Sequence, residues 1–141
     1  MDELFKIFFS IKRRRKKVAS RATRRRGGKN NADYLKYKKE AGILAKERLE
    51  YFNTIYNFKY NRITIRNQKT RWGSCSKKGN LNFSYKIALL SPKIADYIIV
   101  HELCHIGEFN HSKNFWNLVE KTMPDYKELR GSLRTNSQIG L

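Results

Sequence analysis

Cysteine, proline and histidine are all scarce in this chain, and so is negative charge. Two cysteines among 141 residues, Cys75 and Cys104, cannot build the multi-disulfide framework of a small secreted domain. A reducing, cytoplasmic setting is the simpler expectation. Apolar runs all fall well short of the roughly 20 residues that a membrane-spanning helix requires. The apolar stretch Leu4-Phe5-Lys6-Ile7-Phe8-Phe9-Ser10-Ile11 comes before the basic run rather than after it, and no small-residue cleavage site follows, so it does not read as a signal peptide. Asp and Glu number only 12 against 31 Lys and Arg, which leaves a formal charge of +19.

That charge is uneven. Residues 1–29 hold twelve Lys or Arg, among them Arg13-Arg14-Arg15-Lys16-Lys17 and Arg24-Arg25-Arg26, beside only Asp2 and Glu3. Such a run repels itself and is drawn to polyanions by counterion release. It reads either as a flexible arm for nucleic acid or as a solvated tail of a basic protein. An amphipathic surface helix over residues 3–17, anchored by Phe5, Phe8 and Phe9, is a further reading. Gly27-Gly28 with Asn30-Asn31 suggests a hinge, which divides the chain into an arm, 1–29, and one compact domain, 30–141.

Because histidine is so rare, its placement is informative. All three lie between residues 101 and 111, as His101-Glu102-Leu103-Cys104-His105 and then His111. Two histidines four apart on a helix share a face, and both can reach one metal ion. Zn²⁺ accepts neutral imidazole, and a catalytic site wants three protein ligands with one position left open, so His111 is the natural third. Glu102, beside the first ligand, is placed to take a proton from the water that the metal activates. The plainer alternative is a set of structural histidines or a closed structural zinc site. A closed site usually wants a fourth ligand, commonly cysteine. Cys104, one residue from His105, points off its face. The pattern therefore indicates one Zn²⁺ per chain and a hydrolase, most often a peptidase.

The surrounding pattern alternates between helix and strand. From Asp33 apolar residues recur at three and four (Tyr34, Tyr37, Ala41, Ala45, Leu49, Phe52, Tyr56), predicting a helix capped by Asn31 or Asp33 and ending near Asn57. Strands are expected over 62–67 and 70–76, with Leu81, Phe83 and Tyr85 as a hairpin partner beyond a turn at Gly79. Ser91-Pro92 opens the helix that carries His101 and His105, and Asn110 is suited to close it in a left-handed conformation. Ser112 caps the next helix, whose Phe115, Trp116, Leu118 and Val119 face the metal helix; Pro124-Asp125 ends it, and a last helix runs from Tyr126 to Leu133. The fold class is α+β: an N-terminal helix, a small antiparallel sheet, the HExxH helix and C-terminal helices.

Several separated motifs, in order and spacing, carry a family resemblance. They are Lys69-Thr70-Arg71-Trp72-Gly73-Ser74-Cys75-Ser76, Gly79-Asn80-Leu81-Asn82, Asp96 to His105, Asn110-His111-Ser112, Phe115-Trp116 and Pro124-Asp125-Tyr126. Over roughly residues 35–134 the chain resembles the YgjP-like metallopeptidase domain family, a relative of SprT-like zincins. The resemblance implies a zincin-like fold, zinc on His101, His105 and His111, and Glu102 as general base. Two positions depart from it: a basic arm stands where the family has a β-rich region, and Ser132 stands where the family has tryptophan. Metzincins share the histidine spacing, but their glycine would fall at Glu108, whereas here it is Gly107.

In zincins a strand borders the cleft and pairs with an extended peptide, which points to Arg71, Trp72, Gly73 and Ser74 as substrate-binding residues. Gly73 would let a backbone approach. Equally, Trp72 could fill the core and Gly73 relieve crowding. Tyr97, Tyr126 and Arg71 are candidates for a second oxyanion donor. Cys75 has no base near it in sequence to make it a nucleophile. Three rivals to a peptidase on peptide or protein substrates remain: a nucleoside-triphosphate (UTP-type) pyrophosphatase, a nucleic-acid-associated SprT-like protease, and a zinc-stapled binding module without turnover.

Overall fold

The computed structural model describes residues 28–138, with side chains described for 31–135. Most of the basic segment read as an arm, and the amphipathic reading of residues 3–17, lie outside the described residues. Helix α1 spans Gly28–Tyr56, so it is already helical through Asn30-Asn31, where a hinge and a cap were expected. The apolar stripe forms as its spacing predicts, with Ala41, Leu44, Ala45, Leu49 and Phe52 buried. Asn57 takes a left-handed φ of 54° just past the end, the conformation that lets a non-glycine residue close a helix.

Strands β1 (Arg62–Arg66), β2 (Gly73–Cys75) and β3 (Asn80–Ser84) form one sheet in the order β1-β3-β2. The sheet is mixed rather than antiparallel. β2 and β3 form the expected hairpin, with Ser74 opposite Asn82, but β1 lies parallel to β3, with Ile63 opposite Leu81 and Ile65 opposite Phe83. With the hairpin on one edge of β3, β1 adds to the other edge, and Ile65 is buried in the same core as Leu81 and Phe83. Gly79, at φ +72°, closes the hairpin by donating its N–H to Ser76 O at 2.9 Å. β2 is three residues long, shorter than the strand expected over 70–76, and Tyr85 belongs to a 3-10 helix, Tyr85–Leu89, that follows β3 directly.

Helix α2 (Pro92–Gly107) is the centre of the molecule. It packs against α1, β2, β3, α3 (Lys113–Thr122) and α4 (Tyr126–Gln138), and Ala95, Tyr97 to Val100, Leu103 and Cys104 are buried around its circumference. A helix enclosed on most sides needs an apolar circumference, and this one has it. Pro92 occupies the first turn, where its missing N–H costs nothing, while the Ser91 side chain makes no capping bond. Fully buried Leu81, Phe83, Ile99, Leu103 and Phe115 each contribute about 1.5–3 kcal/mol of apolar burial. Arg48 of α1 donates two hydrogen bonds to the Asp96 carboxylate, at 2.7 and 2.9 Å, which fixes α2 against α1. No described helix is long and apolar enough to cross a membrane.

Candidate metal centre and cleft

The 3.6-residue pitch of α2 puts His101 and His105 one turn apart on one face, with ring centroids 4.9 Å apart. The helix then stops through extended backbone at Glu108 (φ −141°, ψ 106°), and Asn110 does not take the left-handed conformation expected of it. The chain turns back at once, because Ser112 accepts from Phe115 N at 3.4 Å and starts α3. His111 is caught in that return, with its ring 5.0 Å from His101 and 4.7 Å from His105. Ligating atoms of the three histidines lie within 4.8 Å of one another.

This arrangement fits a metal ion. The Nε2 atoms of His101 and His111 are 3.1 Å apart. Two nitrogens bound tetrahedrally to zinc stand about 3.3 Å apart, given Zn–N bonds of about 2.0–2.1 Å. His105 Nδ1 lies 3.1 Å from the Glu108 carbonyl; donating its proton there leaves Nε2 a lone pair for a metal. Behind His101, the Tyr97 hydroxyl is 3.5 Å from Nδ1. The rings are also held from the sides: Phe115 stacks on His105 at 4.5 Å and Trp116 on His111 at 5.7 Å. Burial, with the neighbouring His105, His111 and Arg130 charges, pushes His101 down to about 3. His105 is lowered too, again chiefly by burial. Both are therefore neutral near pH 7, the form that ligates a metal. Among the described residues neither Cys75 nor Cys104 joins this group, so it offers three ligands and an open side, where His111 is exposed.

Glu102 lines the cleft together with His101 and is only 7% exposed. Burial pushes its carboxyl up to about 8, against the opposing field of Arg71. The room for it comes from Gly73. A Cβ there would stand 2.6 Å from Glu102 Cγ and 2.8 Å from Oε1. Gly73 thus relieves crowding against the carboxylate itself, and β2 is threaded past the helix at a distance that only glycine allows.

An open cleft of about 350 Å³ runs beside the centre, within the size range of ligand sites. Of the residues read as substrate-binding, Arg71, Trp72 and Gly73 line it. Ser74 does not; its hydroxyl accepts from Asn82 Nδ2 at 3.3 Å across the hairpin. Tyr97 also lines the cleft, whereas Tyr126 is buried and stacked on Trp116 at 4.9 Å. Cys75 is half-buried, and its thiol is pushed up to about 11 by burial and by Glu102, which suits no nucleophile. Sequence reasoning missed Arg130, Leu133 and Arg134 of α4, which complete the wall. Their signal was the four-residue spacing of Tyr126, Arg130 and Arg134 along one helical face.

The family model of the YgjP-like metallopeptidase domain matches residues 5–136. Among solved structures, the chain is similar to the metallopeptidase zymogen of Pyrococcus abyssi abylysin, at 28% identity and a TM-score of 0.61, over 67% of this chain and 95% of that one. It also shares the fold of the metallopeptidase zymogen of Methanocaldococcus jannaschii jannalysin, at 22% identity and a TM-score of 0.58, over 65% of this chain and 95% of that one. A search of curated proteins finds no match. With the family model spanning nearly the whole sequence and the α+β zincin-like architecture shared, this chain belongs to the YgjP-like metallopeptidase domain family.

Proposed function

We propose that this metallopeptidase is a zinc enzyme of the HExxH type, in which His101, His105 and His111 hold one Zn²⁺ per chain and Glu102 carries the proton. The observation that supports it most is the convergence of three imidazoles beside one buried carboxyl. When bound, the ion supplies Lewis acidity toward water and toward the scissile carbonyl. Glu102 takes the proton from the attacking water and then delivers it to the leaving amine as the C–N bond breaks. Burial raises the proton affinity of this carboxyl, and the positive charge of a bound ion would oppose that rise and favour the ionised form that accepts the proton.

The sheet supplies the substrate's track. Ser84 N donates to Trp72 O, and Ser76 N donates to Asn80 O, so those residues face β3. By alternation, Gly73 and Cys75 turn their backbone N–H and C=O to the other edge of β2, where no described strand pairs. An extended peptide can add there beside Glu102. Arg71 and Trp72, next along the chain, then contact its side chains.

The test is zinc content together with hydrolysis of casein, for the wild type and for Glu102→Gln. Zinc near one per chain in both, with turnover lost only in the variant, supports the assignment. Unchanged turnover in Glu102→Gln refutes the relay. Cleavage of UTP with Mg²⁺ and not of casein favours the pyrophosphatase reading, for which the cationic cleft is the relevant feature. Residues 1–29 offer their twelve basic side chains to nucleic acid, and a steep fall of affinity with salt tests that separately. The free thiols of Cys75 and Cys104 favour a reducing, cytoplasmic compartment.

A further inference from the structure

Three arginines line the cleft, and the proton relay uses none of them. Arg71 comes from the segment that enters β2; Arg130 and Arg134 come from α4. Glu102 is the one acidic side chain in that lining, and it is buried. The ion pairs among the described residues join Lys46 to Glu50, Arg48 to Asp96 and Lys93 to Asp125, so none of the three arginines is ion-paired there, and only the field of Arg71 reaches Glu102.

General basicity does not account for their placement. The Arg130 guanidinium stands 5.2 Å over the Trp116 ring, and Trp116 itself stacks on Tyr126 and on His111. That indole holds the cation in a set relation to a histidine of the metal centre, so little side-chain freedom is left to lose on binding. Arg71 and Trp72 also form the wall shared with a second, smaller cavity of about 80 Å³, to which Lys69 and Lys86 add further positive charge. A guanidinium presents paired N–H donors that match the two oxygens of a carboxylate.

Resting on the peptidase reading, we propose that Arg71, Arg130 and Arg134 select peptide substrates that carry a carboxylate beside the scissile bond, either an acidic side chain or the free C-terminus. The cleft is then an acidic-peptide site. A lysine in the same subsite meets three like charges.

The test uses one peptide scaffold in four forms, with glutamate, glutamine or lysine flanking the scissile bond and, for the glutamine form, a free or an amidated C-terminus. Binding of each to the full-length, zinc-loaded Glu102→Gln protein is followed by tryptophan fluorescence, and cleavage by the wild type in parallel. At moderate salt the glutamate peptide should bind about fivefold to tenfold tighter than the glutamine peptide, and the lysine peptide weaker than both. A loss of affinity on amidation instead identifies the C-terminal carboxylate as the anchor. Arg130→Glu and Arg134→Glu, each introduced into Glu102→Gln with circular dichroism and zinc content confirming the fold, should reverse the order of glutamate and lysine. The same charge change at exposed Lys59 should not. Equal binding of all four peptides overturns the proposal whatever the turnover. So does a preference for carboxylate that persists unchanged in both α4 variants. If the wild type cleaves no peptide while the carboxylate preference in binding remains, the peptidase reading fails and the selectivity stands.

Discussion

Replacing Gly73 by alanine adds one methyl group in the place where the structure has least room for it. The new Cβ would meet Glu102 Cγ at 2.6 Å, Oε1 at 2.8 Å and Cδ at 2.9 Å. Comfortable carbon–carbon contact begins at about 3.5 Å, so something must move by about 1 Å. The backbone of β2 is tied to β3, with Gly73 opposite Phe83, and α2 is the buried centre of the fold. The Glu102 side chain is therefore the part that yields. Overpacking of this kind costs about 1–3 kcal/mol of stability. The larger effect is on chemistry, because a displacement of about 1 Å in a catalytic group can lower the rate about a hundredfold, equivalent to about 2.7 kcal/mol in the barrier. The three atoms nearest the new methyl group all belong to Glu102 and none to a histidine, so zinc content should stay at the wild-type level. The assay is steady-state cleavage of a chromogenic peptide with metal analysis of the same sample. A fall in kcat of about two orders of magnitude with KM changed little is the expected pattern, since the lost interaction belongs to the reacting state. Turnover within threefold of the wild type, in a folded and zinc-loaded Gly73→Ala protein, would show that the carboxylate is not held by this contact.

Other perturbations report on the support around the centre. Arg48→Ala removes both hydrogen bonds that hold the buried Asp96 carboxylate, and the stability loss should be about 2–3 kcal/mol by urea titration at pH 7. Burial already raises Asp96, and Arg48 holds it down, so in the variant the carboxyl rises further; its deficit should shrink as pH falls toward 4, and a deficit independent of pH would contradict that account. In the metal-free protein Glu102 keeps its proton to about pH 8, whereas the unfolded chain releases it near pH 4.3. The folded state binds the extra proton between those values, so this group's contribution to stability declines as pH rises from about 4.3 to 8, by at most about 5 kcal/mol. Glu102→Gln should flatten that decline in chelator-treated protein, and identical pH profiles for the two proteins would refute the assignment. Tyr97→Phe removes the hydroxyl 3.5 Å from His101 Nδ1, and zinc affinity measured by competition with a chromogenic chelator should fall about tenfold, the low end for outer-shell partners, as that distance is long.

Features governed by a few neighbouring residues were legible in the sequence. The four-residue step from His101 to His105 needs only the helical pitch to put both rings on one face, and Ser91-Pro92 marks where that helix begins. Gly79 announces its turn, and the stripe from Tyr34 to Tyr56 announces a helix packed on one side. The start of that helix was less legible, because Gly28 to Asn31 carry turn-like residues that α1 nonetheless absorbs. The direction of β1 was illegible as well, since alternation of side chains is the same for parallel and antiparallel pairing, and its partner β3 lies beyond the intervening β2.

The candidate site divides along the same line. Residue identity and local spacing determined which groups could ligate a metal and carry a proton, because imidazole and carboxyl chemistry travels with the side chain. Tertiary packing decided how closely His111 approaches the other two rings once the break at Glu108 and the cap at Ser112 have turned the chain back. It also decided that Gly73 makes room for Glu102 and that α4 brings Arg130 and Arg134 to the cleft. These contacts join residues up to about sixty positions apart. No periodicity along a chain specifies such a distance, which is set by how buried surfaces close upon one another.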